Sequence, residues 1–148
     1  MDPVLPPDFK EFLSLLRSHG VEYLLIGGYA VGHYGYPRAT GDLDIWIAKH
    51  PQNAERTVAV LRDFGFDLID LSPSLFLQEH SMVRLGEVPL RIELTTTISG
   101  VEFSQCYAER TETMIDGVEV AVISIARLRA NKKASGRPKD LDDLQHLP

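Results

Sequence analysis

Apolar residues recur along this chain in two periods. Phe9, Phe12, Leu13 and Leu16 follow i, i+3, i+4, i+7, which is one face of a helix. Asp8, with Glu11 three residues on, reads as its N-cap, and Gly20 as its stop. Residues 21–26 form a continuous apolar run, as expected of a short strand buried on both faces. A short helix follows over residues 28–34 and ends at Gly35 and Pro37. A second strand covers residues 42–48. Residues 53–64 then make another amphipathic helix, with Ala54, Val58, Leu61 and Phe64 inward and Gly65 closing it.

The second half reads mainly as strands. Residues 66–69 and 75–78 are expected as short strands, and residues 82–85 and 89–95 as a hairpin around Gly86-Glu87-Val88. Within it Leu90, Ile92 and Leu94 alternate with Arg91, Glu93 and Thr95, so Glu93 falls on the polar face. A helix is expected over residues 103–110. Asp116-Gly117 between apolar runs predicts a tight hairpin with a type I′ turn. Ser124 caps a helix that Gly136 breaks, and Pro138 opens a last helix in its first turn. No repeat or linker interrupts the pattern, and 148 residues suit a single domain spanning 1–148.

Composition narrows the function classes. The net charge of −6 argues against a broadly basic, nucleic-acid-coating surface. A local patch survives, because Arg127, Arg129, Lys132, Lys133, Arg137 and Lys139 crowd into one stretch. Cys106 is the single cysteine, which excludes an internal disulfide and a zinc ribbon. No apolar run approaches the roughly 20 residues of a membrane span. The proline-rich start lacks the pattern of a signal peptide, so a cytoplasmic location is expected. The five histidines show no ligand spacing, and Ser72, Ser74 and Ser81 lie in no G-x-S-x-G context.

The chemistry concentrates between Leu24 and Ile47. Asp42 and Asp44, at i and i+2 on a strand, project to the same side. Two such carboxylates repel unless they share a proton or a cation. Mg²⁺ is the economical cation, a hard ion that prefers oxygen ligands and keeps positions open for phosphate and water. Gly27-Gly28 sits where a strand turns into a helix, so backbone N–H groups there can face an anion. A P-loop is ruled out, since His33-Tyr34 stand where Lys-Ser/Thr would be needed after Gly27 and Gly32. A phosphate cradle beside a carboxylate pair is equipment for phosphoryl or nucleotidyl transfer.

Gly27-Gly28, Asp42-x-Asp44 and the later strand Arg91-Ile92-Glu93-Leu94 resemble the DNA polymerase β-type nucleotidyltransferase superfamily. Within it the chain is most similar to small prokaryotic nucleotidyltransferases of toxin–antitoxin and abortive-infection systems. The run from Asn131 to Leu141 resembles that group's basic motif, and the match extends from about Val21 to Leu147. The resemblance implies an α/β (α+β) fold, a mixed and partly antiparallel sheet with helices mainly on one face. It implies a Mg²⁺-dependent enzyme with two ions held by Asp42, Asp44 and Glu93, the last a Glu where many relatives carry Asp. Gly27, Gly28, Arg38, Thr40, Lys132, Arg137 and Lys139 would bind the NTP or its acceptor, and Asp140 would orient one of the cations. The acceptor hydroxyl would be an RNA 3′ end, tRNA in particular, or a protein side chain. Two other readings stay open: an antitoxin-like module that binds a cognate toxin chain, and a small-molecule (aminoglycoside-like) nucleotidyltransferase.

Overall fold

The computed structural model describes residues 3–37, 41–67, 69–87 and 89–148. Among these, six strands form one mixed sheet in the order β3-β4-β2-β1-β6-β5. The strands are β1 (Tyr23–Ile26), β2 (Asp42–Ile47), β3 (Met82–Glu87), β4 (Leu90–Thr95), β5 (Thr111–Ile115) and β6 (Val118–Val122). β2 runs antiparallel to β1 and parallel to β4, while β1 and β6 are parallel. The helices are α1 (Pro7–Ser18), α2 (Gly27–His33), α3 (Pro51–Phe64), α4 (Phe103–Ala108), α5 (Ile125–Ser135) and α6 (Pro138–His146).

Strand alternation divides the sheet into two chemistries. On one face Leu43 and Ile45 of β2 sit opposite Ile92 and Leu94 of β4, all fully buried. The two longest helices cover that side: Phe12 of α1 meets Phe64 of α3 edge to face at 5.1 Å, and Phe9 and Phe64 gather near Leu85 and Ile92. On the other face the same register pairs Asp42 with Arg91 and Asp44 with Glu93. One strand pairing therefore sets both the apolar strip beneath the helices and all three expected metal-binding carboxylates.

Asn53 locks the foot of the β1–β2 pair. It is fully buried, accepts the Glu22 N–H at 2.7 Å, and donates to the carbonyls of Glu22 (3.1 Å) and Ala48 (2.9 Å). The chain entering β1 and the chain leaving β2 are thus tied to the first turn of α3. The Asp116-Gly117 turn forms as expected, with φ of +49° and +84°, the left-handed pair that a type I′ turn needs.

Two expected strands do not form. Phe66–Asp67 and the residues after them are loop and turn, and Pro73–Phe76 is one 3₁₀ turn that buries Phe76; Leu68 lies outside the described residues. Ser72, Pro73 and Ser74 favour turns over a ladder, and Phe76 anchors the loop by itself. The first helix also begins earlier, at Pro7, leaving Asp8 in its first turn, where its charge suits the helix dipole, and not at the cap. The β3–β4 hairpin closes later than expected, with Glu87 opposite Leu90, and Val88 is outside the described residues.

Replacing Asn53 by Ala removes three hydrogen bonds, one buried and two part-buried, and strands the Glu22 N–H. We expect a loss of about 2–4 kcal/mol in urea denaturation. Wild-type stability in Asn53→Ala would show that the foot of the hairpin is held elsewhere.

Candidate active site

A cleft of about 380 Å³ opens on the polar face of β2 and β4. Asp42, Asp44 and Glu93 line one side, Gly27 closes one end, and Lys132, Arg137 and Lys139 come from α5 and the start of α6. The expected carboxylates and the expected C-terminal cations are therefore brought together. Arg38 and Thr40 lie outside the described residues.

Each carboxylate has its own surroundings. Arg91 reaches Asp42 through Nε and Nη2, both at 3.2 Å, in a two-pronged pair. Arg84 Nε lies 3.0 Å from Glu93, whose side chain is only 14% exposed. Asp44 sits between them with a pKa raised to about 7. Burial is the largest cause; the charge of Glu93, a hydrogen bond shared with it, and the charge of Asp42 add to it, while Lys139 pulls the other way. The centre of the cluster is short of positive charge.

Gly27 is the residue that lets Asp44 occupy this place. Its φ is +69°, and a Cβ there would lie 2.8 Å from Asp44 Cγ and 2.9 Å from Asp44 Cβ. Only glycine combines that backbone with that contact. The first glycine of the Gly27-Gly28 pair thus seats a carboxylate, in addition to opening the turn into α2.

Among the described residues no three His, Cys, Asp or Glu side chains already stand as a metal cage. Arg91 and Arg84 draw two of the carboxylates sideways. The donor set still fits a hard dication: it is all oxygen, on one face, with its middle member driven toward the neutral acid by burial and by like charge.

The C-terminal cations divide by role. Lys132 lines the cleft, yet it is 4% exposed and its Nζ lies 3.2 Å from Asp140 and 3.1 Å from Asp143. Arg137 grips Asp140 at 2.8 and 3.3 Å, and its own N–H donates to the same carboxylate. Burial would raise Asp140, but hydrogen bonds from Arg137, Ser135 and Lys132 outweigh it and hold the group far below the usual carboxylate range. Asp140 thus orients a cation as expected, and Lys132 supports the wall beneath Arg137. Lys139 reaches the cleft with no hydrogen bond or ion pair of its own among the described residues. Asp143 shares Lys132 with Asp140 and is equally buried. Its spacing of three from Asp140 on α6 puts both on the side that faces α5.

The layout defines a class: a mixed sheet carrying three carboxylates on neighbouring strands, facing cations across a phosphate-sized cleft, is that of a nucleotidyl-transferring enzyme. Residues 7–148 match the family model described as "Nucleotidyl transferase of unknown function (DUF2204)". The chain belongs to that family, and so to the nucleotidyltransferases. No curated protein matches it. Its fold is similar to the crystal structure of a "putative nucleotidyltransferase" from Thermotoga maritima, with a TM-score of 0.66 and 14% identity over 97% of this chain and 94% of that one. No helix among the described residues is long and apolar enough to cross a membrane.

Two outcomes test this geometry. Because Asp44 is raised in the folded protein, ionising it costs stability that a protonated Asp44 does not; the penalty is absent near pH 4 and grows as pH rises through 7. In EDTA, Asp44→Asn should therefore melt above wild type at pH 8 and level with it near pH 4. A lower melting point at pH 8 would mean that the carboxylate is not crowded. Lys132→Met leaves Asp140 and Asp143 buried without their shared cation and should cost about 3–5 kcal/mol in urea denaturation. An unchanged midpoint would remove Lys132 as the support of the α5–α6 wall.

Proposed function

We propose that the cleft transfers a nucleoside monophosphate from an NTP to a hydroxyl acceptor in a Mg²⁺-dependent reaction. The observation that carries the reading is the facing of Asp42, Asp44 and Glu93 by Arg137 and Lys139 across one cleft that ends at Gly27. Cations alone would suit an anion-binding module, and carboxylates alone a cation site. The pair suits an anionic substrate that arrives with a metal.

Asp42, Asp44 and Glu93 would hold the two ions, which when bound neutralise triphosphate charge and lower the pKa of the acceptor hydroxyl. Lys139 and Arg137 attract the phosphates, joined by Arg38 and Thr40 from the segment before β2. The backbone at Gly27 and Gly28 receives the β,γ-phosphates at the strand-to-helix turn. The acceptor oxygen bonds to the α-phosphorus as the bond to the bridging oxygen breaks, and pyrophosphate leaves with the electron pair. Glu93 would take the acceptor's proton as general base, or would help hold an ion that acidifies it. The protein's share is positioning and charge stabilisation.

The acceptor class in this reading is an RNA 3′ end, a protein side chain or a small molecule, and the setting a toxin–antitoxin or defence system in the cytoplasm. The rival is a catalytically weak module that binds a toxin chain through the same fold. Incubating the protein with Mg²⁺ and each NTP labelled at its α-phosphate, in a cell extract split into RNA, protein and small molecules, tests it. Label should enter one fraction and fall by about a hundredfold or more in Asp44→Ala. No label in any fraction, with no binding of Mg²⁺–NTP, would refute transfer and turn attention to a co-purifying chain.

A further inference from the structure

A second hollow lies beside the cleft and is larger, about 580 Å³. The two share Thr97 as a wall. On β2 the polar face continues from Asp42 and Asp44 to Trp46, which lies beneath the second hollow roughly 7 Å further along the strand. Trp46 is 1% exposed, and its Nε1–H donates to the Thr96 carbonyl at 3.2 Å, so the ring is fixed. Phe103 of α4 stands edge-on to it at 5.1 Å. The volume is that of a small-molecule site, and the aromatic surface open to it is that of the half-buried Phe103 and Tyr107, whose rings stack at 5.3 Å.

The rim is acidic. Glu22, Glu79 and Glu102 surround the hollow against one ammonium, that of Lys49. Lys49 is held by Glu79 at 3.2 Å, and His50 lies 3.4 Å from Glu22. Glu102 makes no side-chain hydrogen bond or ion pair among the described residues. A phosphate backbone would meet like charge here. A cation would meet both carboxylate and aromatic attraction.

We propose that this hollow binds a small organic cation with a flat apolar body, and that it holds the acceptor so that its hydroxyl reaches the carboxylates. The acceptor role rests on the transfer reading; the cation site does not. The bond formed is the oxygen–phosphorus bond already described, so the hollow adds recognition and no new step. Among the acceptor classes it selects the small hydroxyl-bearing amine over RNA.

Trp46 is the single tryptophan of the chain and packs on Phe103, so its emission reports on occupancy of the hollow. Three phenols of one size serve as probes: tyramine with an ammonium, para-ethylphenol without charge, and para-hydroxyphenylacetate with a carboxylate. Tyramine should saturate the signal and bind about tenfold more tightly than para-hydroxyphenylacetate, with para-ethylphenol between them. Glu102→Gln should weaken tyramine by about threefold and leave para-ethylphenol unchanged. Phe103→Ala should weaken all three. Equal binding of the three probes, or no saturable signal, overturns the cation site even if labelled nucleotide is transferred to RNA or protein. With Mg²⁺–NTP present, tyramine should take label itself or suppress labelling of the extract's acceptor. Selective tyramine binding that does neither keeps the cation site and overturns its role in transfer. The same binding in a protein that transfers nothing condemns the reading of the cleft instead.

Discussion

The arrangement depends on one electrostatic constraint: three carboxylates fixed by strand register on one strip of sheet. Register leaves them no freedom to separate, because β2 and β4 pair residue for residue from Asp42–Arg91 to Trp46–Thr95. What can vary is the charge that faces them. The flanking pair is met by arginines from β4 and β3, and the middle one is left to Lys139 at a distance. Because arginines already cover the flanks, the unmet demand falls on Asp44, over Gly27, where the cleft meets α2. That uneven compensation separates a site from a surface salt-bridge network, in which every charge would be matched.

The opposite wall solves a related problem by burial. Lys132, Asp140 and Asp143 are all almost inaccessible, and such a cluster is rarely worth more than an apolar packing of the same volume. Its value here is directional. The short loop at Gly136 gives α6 latitude in how it meets α5, and a buried cation shared by two carboxylates accepts few arrangements. Arg137 is bound to the same Asp140 carboxylate while its side chain remains 61% exposed. Its charge is thereby presented to the cleft from a fixed base, which matters because catalysis by positioning fails with small displacements.

The sequence revealed the parts of this design whose signals are local. Period-two alternation placed Glu93 on the polar face, Asp116-Gly117 specified its turn, and Ser124 and Gly136 bounded α5. Sequence alone could not decide which cations serve and which support. Lys132 and Lys139 look alike in a basic run, and their difference arises only when α6 folds back and buries one of them. The two expected strands between α3 and β3 failed for a kindred reason. Their apolar residues suggested a ladder, but Ser72, Pro73 and Ser74 turn the chain, and Phe76 is satisfied by insertion into the core alone. The hollow above Trp46 was hidden because the residues that build it come from β2 and α4, far apart in the chain.

The face that carries no chemistry explains why the other can. Asp44 at neutral pH opposes folding, and a strip of like charges would splay two strands held only by their ladder. β2 cannot splay, because in alternation with the carboxylates it places Leu43 and Ile45, both at 0% exposure, under α1 and α3. Each fully buried Leu or Ile side chain contributes about 1.5–3 kcal/mol, so two or three of them offset one crowded carboxylate. The alternation that exposes Asp42 and Asp44 is thus the same one that secures them. A substitution that weakened the apolar face, Ile45→Ala for instance, would disturb the cleft without touching any group that lines it.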